Sequence, residues 1–313
     1  MQSGLNRRLF LQGLALSCTL APWLGVGGEG EYRPVRWWGH LDGQGEKIFR
    51  VIREFSLKGQ KLVWLVDEET LLSSIHDRSQ VRRLEEISGS DSRYTRCIQL
   101  ASSPPYPLEN SGIRRANHEV NGIFLTIDLC PSPQGMEYRL FEALLKSDLP
   151  RPIPLSLAIS GGWLRHHRAD AKWLLERERD GAFDLLWINH SYNHFYDRGV
   201  ASQHNFFLRP DTLVEAEILR LEWMLIQAGM TPSIFFRFPG LVANEQLVKT
   251  VASLGLVTVG CDSWLAKNRR FSSGSILLVH GNGNEPWGVD IFLNLLKKSP
   301  EQLKLKPLYE VFV

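Results

Sequence analysis

The sequence has little cysteine, no excess of either charge and no long apolar run, and each shortage removes a class of protein. The four cysteines, Cys18, Cys97, Cys130 and Cys261, form no CxxC pair, so neither a disulfide scaffold nor a structural zinc module is encoded. Thirty-six basic residues against 34 acidic ones leave a net charge of +2, which offers no general attraction to nucleic acid, and no such partner is expected. The apolar stretch ending near Gly25 falls short of the roughly 20 residues that a spanning helix needs, so no stable transmembrane anchor is expected. Internal repeats and low-complexity tracts are missing as well. What is there is an ordinary globular composition, 43% hydrophobic and 22% charged, which excludes a mostly disordered chain. Ten tryptophans stand out, because flat indole faces line sugar-binding clefts as well as cores.

The segment Asn6-Arg7-Arg8-Leu9-Phe10-Leu11-Gln12 resembles the twin-arginine export pattern, and the apolar residues after it suit a signal h-region. Residues 1–28 are therefore expected to be an export signal that sends the chain to the periplasm or outside the cell. No clean small-x-small cleavage site follows, so an uncleaved signal would leave the protein membrane-associated. Without Cys18 three cysteines remain, enough for at most one bridge.

Residues 29–118 read as an N-terminal α/β extension and linker: a helix over 46–55, a strand over 61–66, a helix through Glu85 and Glu86, and a loop over 101–110 that holds three prolines. Residues 119–313 are regular. Strands are expected at 123–127, 154–159, 183–188, 234–237, 256–260, 275–279 and 308–313. Helices are expected at 136–144, 168–178, 212–228, 245–254 and 289–297. Such alternation predicts an α/β fold with a parallel sheet, and about seven strands predict a distorted or incomplete (β/α) barrel, with a doubly wound open sheet as runner-up. Functional groups then belong at the carboxyl ends of the strands.

Polar residues do collect there. Asp128 ends the first of these strands, and the third runs into Asn189-His190-Ser191-Tyr192-Asn193-His194. Later strands end in Arg237-Phe238-Pro239-Gly240, in Cys261-Asp262-Ser263-Trp264 and in a run from His280 to Glu285. His190 and His194, at i and i+4, would share one face of a helical turn and could reach one metal ion. Asp128 could accept a proton from water or bind the metal, and Arg237 beside it would orient that carboxylate. Cys130 and Cys261 each flank a candidate carboxylate, so the barrel should bring both to one rim. A bridge between them requires a Cα separation of about 4.4–6.8 Å.

These clusters resemble the motifs of the polysaccharide deacetylase family, with its NodB-homology fold. TIDLCPS at 126–132 is similar to the family's TFDDGPS with three substitutions, and His190 to His194 matches H-[ST]-x-x-H. Arg237-Phe238-Pro239 resembles R-x-P, Asp262 with Trp264 the fourth motif, and Leu278-Val279-His280 the fifth, L-x-H. The resemblance covers Gly122 to about Lys298. It implies an exported carbohydrate N-deacetylase, a hydrolase of C–N bonds other than peptide bonds, acting on an N-acetylated polysaccharide such as peptidoglycan, a chitin-like chain or an exopolysaccharide. It also implies a divalent metal, usually zinc, on His190 and His194, with Asp128 as general base oriented by Arg237. His280 becomes the general acid, its tautomer set by Asp262. Trp264 and Leu278 would wall the acetyl pocket, and backbone N–H groups near Tyr192 or Asn193 would help hold the oxyanion.

One departure matters. The motif's second Asp, a metal ligand in standard members, is Leu129 here, and the next Gly is Cys130, a DLC form that marks a divergent subgroup. Three accounts follow: Asp128 completes a His-His-Asp site, the metal binds weakly with more water, or the chain is a silent carbohydrate-binding or assembly protein. The first is preferred, because Asp128, Arg237, Asp262 and His280 are all retained. In that account the strand loses its regular geometry at Leu129, which lines the pocket.

Overall fold

The structure, a computed structural model, describes residues 32–84, 91–268, 270–300 and 303–313. The signal-like segment 1–28 and the helix expected through Glu85 and Glu86 lie outside the described residues.

The first five strands are β1 (Arg33–Leu41), β2 (Ile48–Leu57), β3 (Gln60–Asp67), β4 (Ser73–Asp77) and β5 (Val81–Arg83). They form an antiparallel sheet in the order β4-β3-β2-β1-β5. The helix expected over 46–55 is thus mostly strand β2. Its partner lies just beyond the tight turn at Lys58-Gly59, where φ values of 52° and 79° suit a two-residue hairpin whose twist matches its strands. Pairing with β3 overrode a weak helical pattern. Helix α1 (Arg93–Ala101), which the sequence pattern did not reveal, follows with Ser92 accepting a capping bond from the Thr95 N–H.

From residue 124 the chain alternates as expected: β6 (Phe124–Leu129), α2 (Tyr138–Lys146), β7 (Ile153–Ile159), α3 (Gly161–His166), α4 (Arg168–Arg179), β8 (Phe183–Asn189) and α5 (Val214–Gln227). Then come β9 (Pro232–Phe236), α6 (Glu245–Ser253), β10 (Val257–Thr258), β11 (Ser263–Trp264), β12 (Ile276–His280) and α7 (Pro286–Lys298). The seven strands pair in parallel in the order β10-β9-β8-β7-β6-β12-β11, a curled half-barrel. The strand expected at 308–313 is instead a 3-10 turn, Leu308–Glu310, behind Pro307. Arg93 takes the carbonyls of Tyr309 and Phe312 that a strand would have offered to a neighbour. The seventh strand is β11, too short to show a pattern in sequence.

Strand alternation sorts the sheet into two faces. Leu125, Ile127 and Leu129 of β6 join the helix-side core with Leu140, Phe141 and Trp163. Phe124 faces the other core, where Ile52, Phe55 and Trp64 of the N-terminal sheet pack with Ile218 and Phe235. Arg53, fully buried, crosses between the two sheets' elements and donates to both carboxylate oxygens of Glu222 on α5, at 2.7 and 2.8 Å. Trp37, Trp64, Trp163 and Trp187 are buried core residues, and Trp173 and Trp223 pack against the cores, so these six of the ten tryptophans are structural.

The sheet does not close on itself, and residues 109–116 fill the open seam. Ile113 bridges to Val259 beyond β10, and Arg115 bridges to Ser275 before β12. Just before them Gly112, at φ 87°, lets the segment lie flat on the sheet, since a Cβ there would stand 2.3 Å from the Thr258 carbonyl oxygen.

Candidate metal and acid-base site

The site begins with the alternation of β6. Thr126 and Asp128 point away from the helix-side core, and the next residue of that parity, Cys130, follows them inward. Donor atoms of Asp128, Cys130 and His280 all lie within 4.8 Å of one another. Asp128 and His280 are register partners on β6 and β12. Leu129, fully buried, does not line the pocket: the strand keeps its geometry there, and the side chain belongs to the helix-side core. That corrects the expectation of a broken strand.

Arg237, immediately after β9 and itself buried, reaches across the half-barrel. Its Nη1 donates to Asp128 Oδ1 at 2.6 Å and to Thr126 Oγ1 at 2.8 Å, and its Nη2 to the Gly260 carbonyl at 2.9 Å. This fixes the carboxylate's orientation through one oxygen. The other, Oδ2, lies 3.8 Å from His190 Nε2.

His190 and His194 meet, though not on a helix. The chain leaves β8 through a loop with positive φ at Ser191 (69°) and His194 (52°), which folds the second imidazole back over the first. His190 Nδ1 lies 2.8 Å from the Arg237 carbonyl, so that nitrogen carries the proton and Nε2 presents its lone pair. This Nε2 faces His194 Nε2 at 3.1 Å and Cys130 Sγ at 3.5 Å. A proton on His194 Nε2 bridges the two nitrogens at this distance, a divalent metal can take that proton's place, and the donor set of nitrogen and sulfur suits one.

Glu217 on α5 holds this loop. It is buried, and its carbonyl accepts the Tyr192 N–H at 3.0 Å while Oε2 accepts the Asn193 N–H at 2.7 Å. Its Oε1 accepts from the Asn193 side-chain amide. The backbone donors of Tyr192 and Asn193 are therefore committed, which corrects their expected role at the oxyanion. Tyr192 instead carries the Arg165 guanidinium 4.5 Å over its ring. Glu217→Ala should lower the affinity for a divalent metal about 10–100-fold by freeing the loop, as removal of outer-shell support commonly does. Competition with a calibrated chelator measures this, and an unchanged affinity would show that the loop holds itself.

His280, at the end of β12, is held by a residue that sequence reasoning passed over. Its Nδ1 lies 2.8 Å from Glu285 Oε2, which also accepts from Trp264 Nε1 at 2.7 Å. Burial opposes the charged imidazole, but the Cys130 thiolate and Glu285 outweigh it and push His280 up to about 10. Burial likewise raises Glu285, and contact with His280 reverses this to a net lowering. The only hint in sequence was an acid five residues past the histidine, beyond Gly281 and Gly283, which let the chain turn back.

Asp262 does not orient His280. Its Oδ2 accepts from Ser275 Oγ at 2.9 Å and lies 3.8 Å from Arg115 Nη1. The reason is register: Ser263 pairs with Leu277 and Trp264 with Leu278, which sets Asp262 level with the start of β12, several residues short of the rim. Burial raises its pKa. Trp264 stands beside the site, its ring 5.5 Å from that of His280. Leu278 is fully buried in the core below it.

Cys130 and Cys261 are both free thiols, so no bridge forms. Burial pushes Cys261 and Cys97 up to about 12. Burial also acts against ionisation of Cys130, yet His194, His190 and His280 hold it well below the usual thiol range.

No family model matches the chain. Its structure is similar to that of a family 4 carbohydrate esterase from Bacillus anthracis, at 18% identity and a TM-score of 0.48 over 72% of this chain and 93% of that one. It is also similar to a CE4 family pseudoenzyme from Bacillus anthracis, at 16% identity and a TM-score of 0.48 over 91% of each chain. A third likeness is to the chitin deacetylase of the fungal pathogen Colletotrichum lindemuthianum, at 13% identity and a TM-score of 0.46 over 65% of this chain and 92% of that one.

Proposed function

We propose that this protein is an exported, metal-dependent hydrolase that removes N-acetyl groups from a polysaccharide. One observation carries the reading: an oriented carboxylate, Asp128, and a carboxylate-supported imidazole, His280, are register partners on adjacent strands and stand beside a facing histidine pair. Amide hydrolysis needs a group that takes a proton from water and one that gives a proton to the departing amine, together with an electrophile at the carbonyl.

His190 and His194 would hold the metal, whose Lewis acidity polarises the acetamide carbonyl and makes water easier to deprotonate when it is bound. Asp128 takes the proton of the attacking water through Oδ2, since Oδ1 is committed to Arg237. His280 delivers a proton to the amine nitrogen, and Glu285 fixes which of its nitrogens faces the substrate. Trp264, beside His280, offers an apolar wall for the acetyl methyl. Half-exposed Trp287, in the first turn of α7, adds an indole face of the kind that stacks on sugar rings. Export rests on the twin-arginine pattern at Asn6 to Gln12. Among the described residues no helix is long and apolar enough to cross a membrane.

The test is acetate release from peptidoglycan, chitin oligomers and an N-acetylated exopolysaccharide, alongside metal analysis. In His280→Ala, turnover should fall about 100–10,000-fold while metal content stays. Binding of these glycans without any acetate release, by wild-type protein with a full complement of metal, would favour the silent carbohydrate-binding alternative, which the loss of the carboxylate at Leu129 supports.

A further inference from the structure

The histidine pair leaves a tetrahedral metal short of protein donors, and the position that resemblance offers for the third, Leu129, is an apolar side chain in the helix-side core. We propose that the thiolate of Cys130 is the third protein ligand, so that the site is Cys130-His190-His194 and selects zinc or another thiophilic divalent metal over magnesium and manganese. This deepens the proposed function and rests on its metal site.

The geometry of the strand explains the exchange. Side chains alternate across a sheet, so Asp128 and Cys130 share the inner face while Leu129 takes the outer one. A chain that keeps regular strand geometry can offer a ligand at 130 and cannot offer one at 129. Two of the three donor distances agree, and the third, from Cys130 to His194, lies within 4.8 Å. Tetrahedral zinc bonds of about 2.0–2.1 Å to nitrogen and about 2.3 Å to sulfur set donors about 3.3 Å apart for two imidazoles and about 3.5 Å for sulfur and imidazole. Here the Nε2 atoms of His190 and His194 are 3.1 Å apart, and Cys130 Sγ is 3.5 Å from His190 Nε2.

The other donors nearby have separate attachments. Asp128 is tied to Arg237 and His280 to Glu285, whereas Cys130 forms no disulfide and turns its sulfur to the imidazoles. Among the described residues, Cys130, His190 and His194 are one of the groups whose donor atoms converge within 4.8 Å, with Cys130 and His190 buried and His194 half-buried. The sulfur binds as the thiolate: its lone pair becomes the bond to the metal, and any proton it carries leaves to solvent. Thiolate and imidazole suit zinc, cobalt or copper, while magnesium and manganese prefer oxygen donors. Three protein ligands leave one position open, the pattern of catalytic zinc sites.

Cobalt(II) alone is the probe, added to the reduced full-length metal-free protein under nitrogen. Wild type should take up one equivalent and develop the near-ultraviolet thiolate-to-cobalt charge-transfer band. Cys97→Ala and Cys261→Ala should keep the band. Cys130→Ala should lose it and bind zinc more than about 100-fold more weakly, beyond the ~10–100-fold that loss of an outer-shell partner costs. Cys130→Asp should regain affinity without the band. A cobalt-loaded wild type with no such band overturns the proposal, and that result needs no variant to fold. Acetate release from a bandless protein leaves hydrolysis standing and removes the thiolate ligand. A full band with no acetate release keeps the ligand and removes the deacetylase reading.

Discussion

Asp128→Asn is expected to lower acetate release by about 100–10,000-fold while the protein keeps its metal and its fold, the range that loss of a general base produces. The substitution is nearly isosteric, and an amide oxygen can still accept from Arg237 Nη1, which now bonds Asp128 Oδ1 at 2.6 Å. What the amide cannot do is take a proton at the second position, the Oδ2 that faces His190 Nε2 at 3.8 Å. Metal content and turnover therefore separate. Single-turnover acetate release measured beside metal analysis of the same preparation decides between roles. Loss of metal together with activity would return Asp128 to the ligand set, and full activity with full metal would place the base elsewhere.

Leu129→Asp, the substitution that restores the carboxylate of the resembling motif, is expected to destabilise the protein by about 5 kcal/mol or more and to add nothing to metal affinity. Losing a buried leucine costs about 2–5 kcal/mol, and a carboxylate buried without a partner costs several more. Leu129 packs with Ile127, Phe141 and Trp163, apolar neighbours that offer a new carboxylate no charge partner. Whole-domain stability is commonly about 5–15 kcal/mol, so much of the margin would go. Urea denaturation monitored by tryptophan fluorescence measures the loss. A stable Leu129→Asp protein with tighter zinc binding would mean that the strand turns over at this position and that Cys130 is not needed.

The elements with a strong local period are legible in the sequence itself. The apolar runs at β6, β7, β8, β9 and β12 and the amphipathic stretches at α2, α4, α5, α6 and α7 emerge close to their expected bounds, since each buries a face that its own pattern marks. The polar residues at strand ends are legible for the same reason: a parallel sheet sends them to one rim. Asp128 with Arg237, and His190 with His194, meet there.

Chain composition and local pattern thus determined the half-barrel and the candidate residues on its rim. Everything that depended on what lies across space was decided by the tertiary structure. β2 became a strand because β3 offered it a hydrogen-bonding edge, and residues 308–310 formed a turn because Arg93 claimed the neighbouring carbonyls. Register moved Asp262 away from His280, and a folded-back loop brought Glu285 in its place. Glu217, mid-helix and unremarkable in sequence, took the loop donors of Tyr192 and Asn193. Above all, a period of two along one strand sent Leu129 outward and Cys130 inward, a sorting by face that motif spacing does not carry and that only the packed sheet imposes.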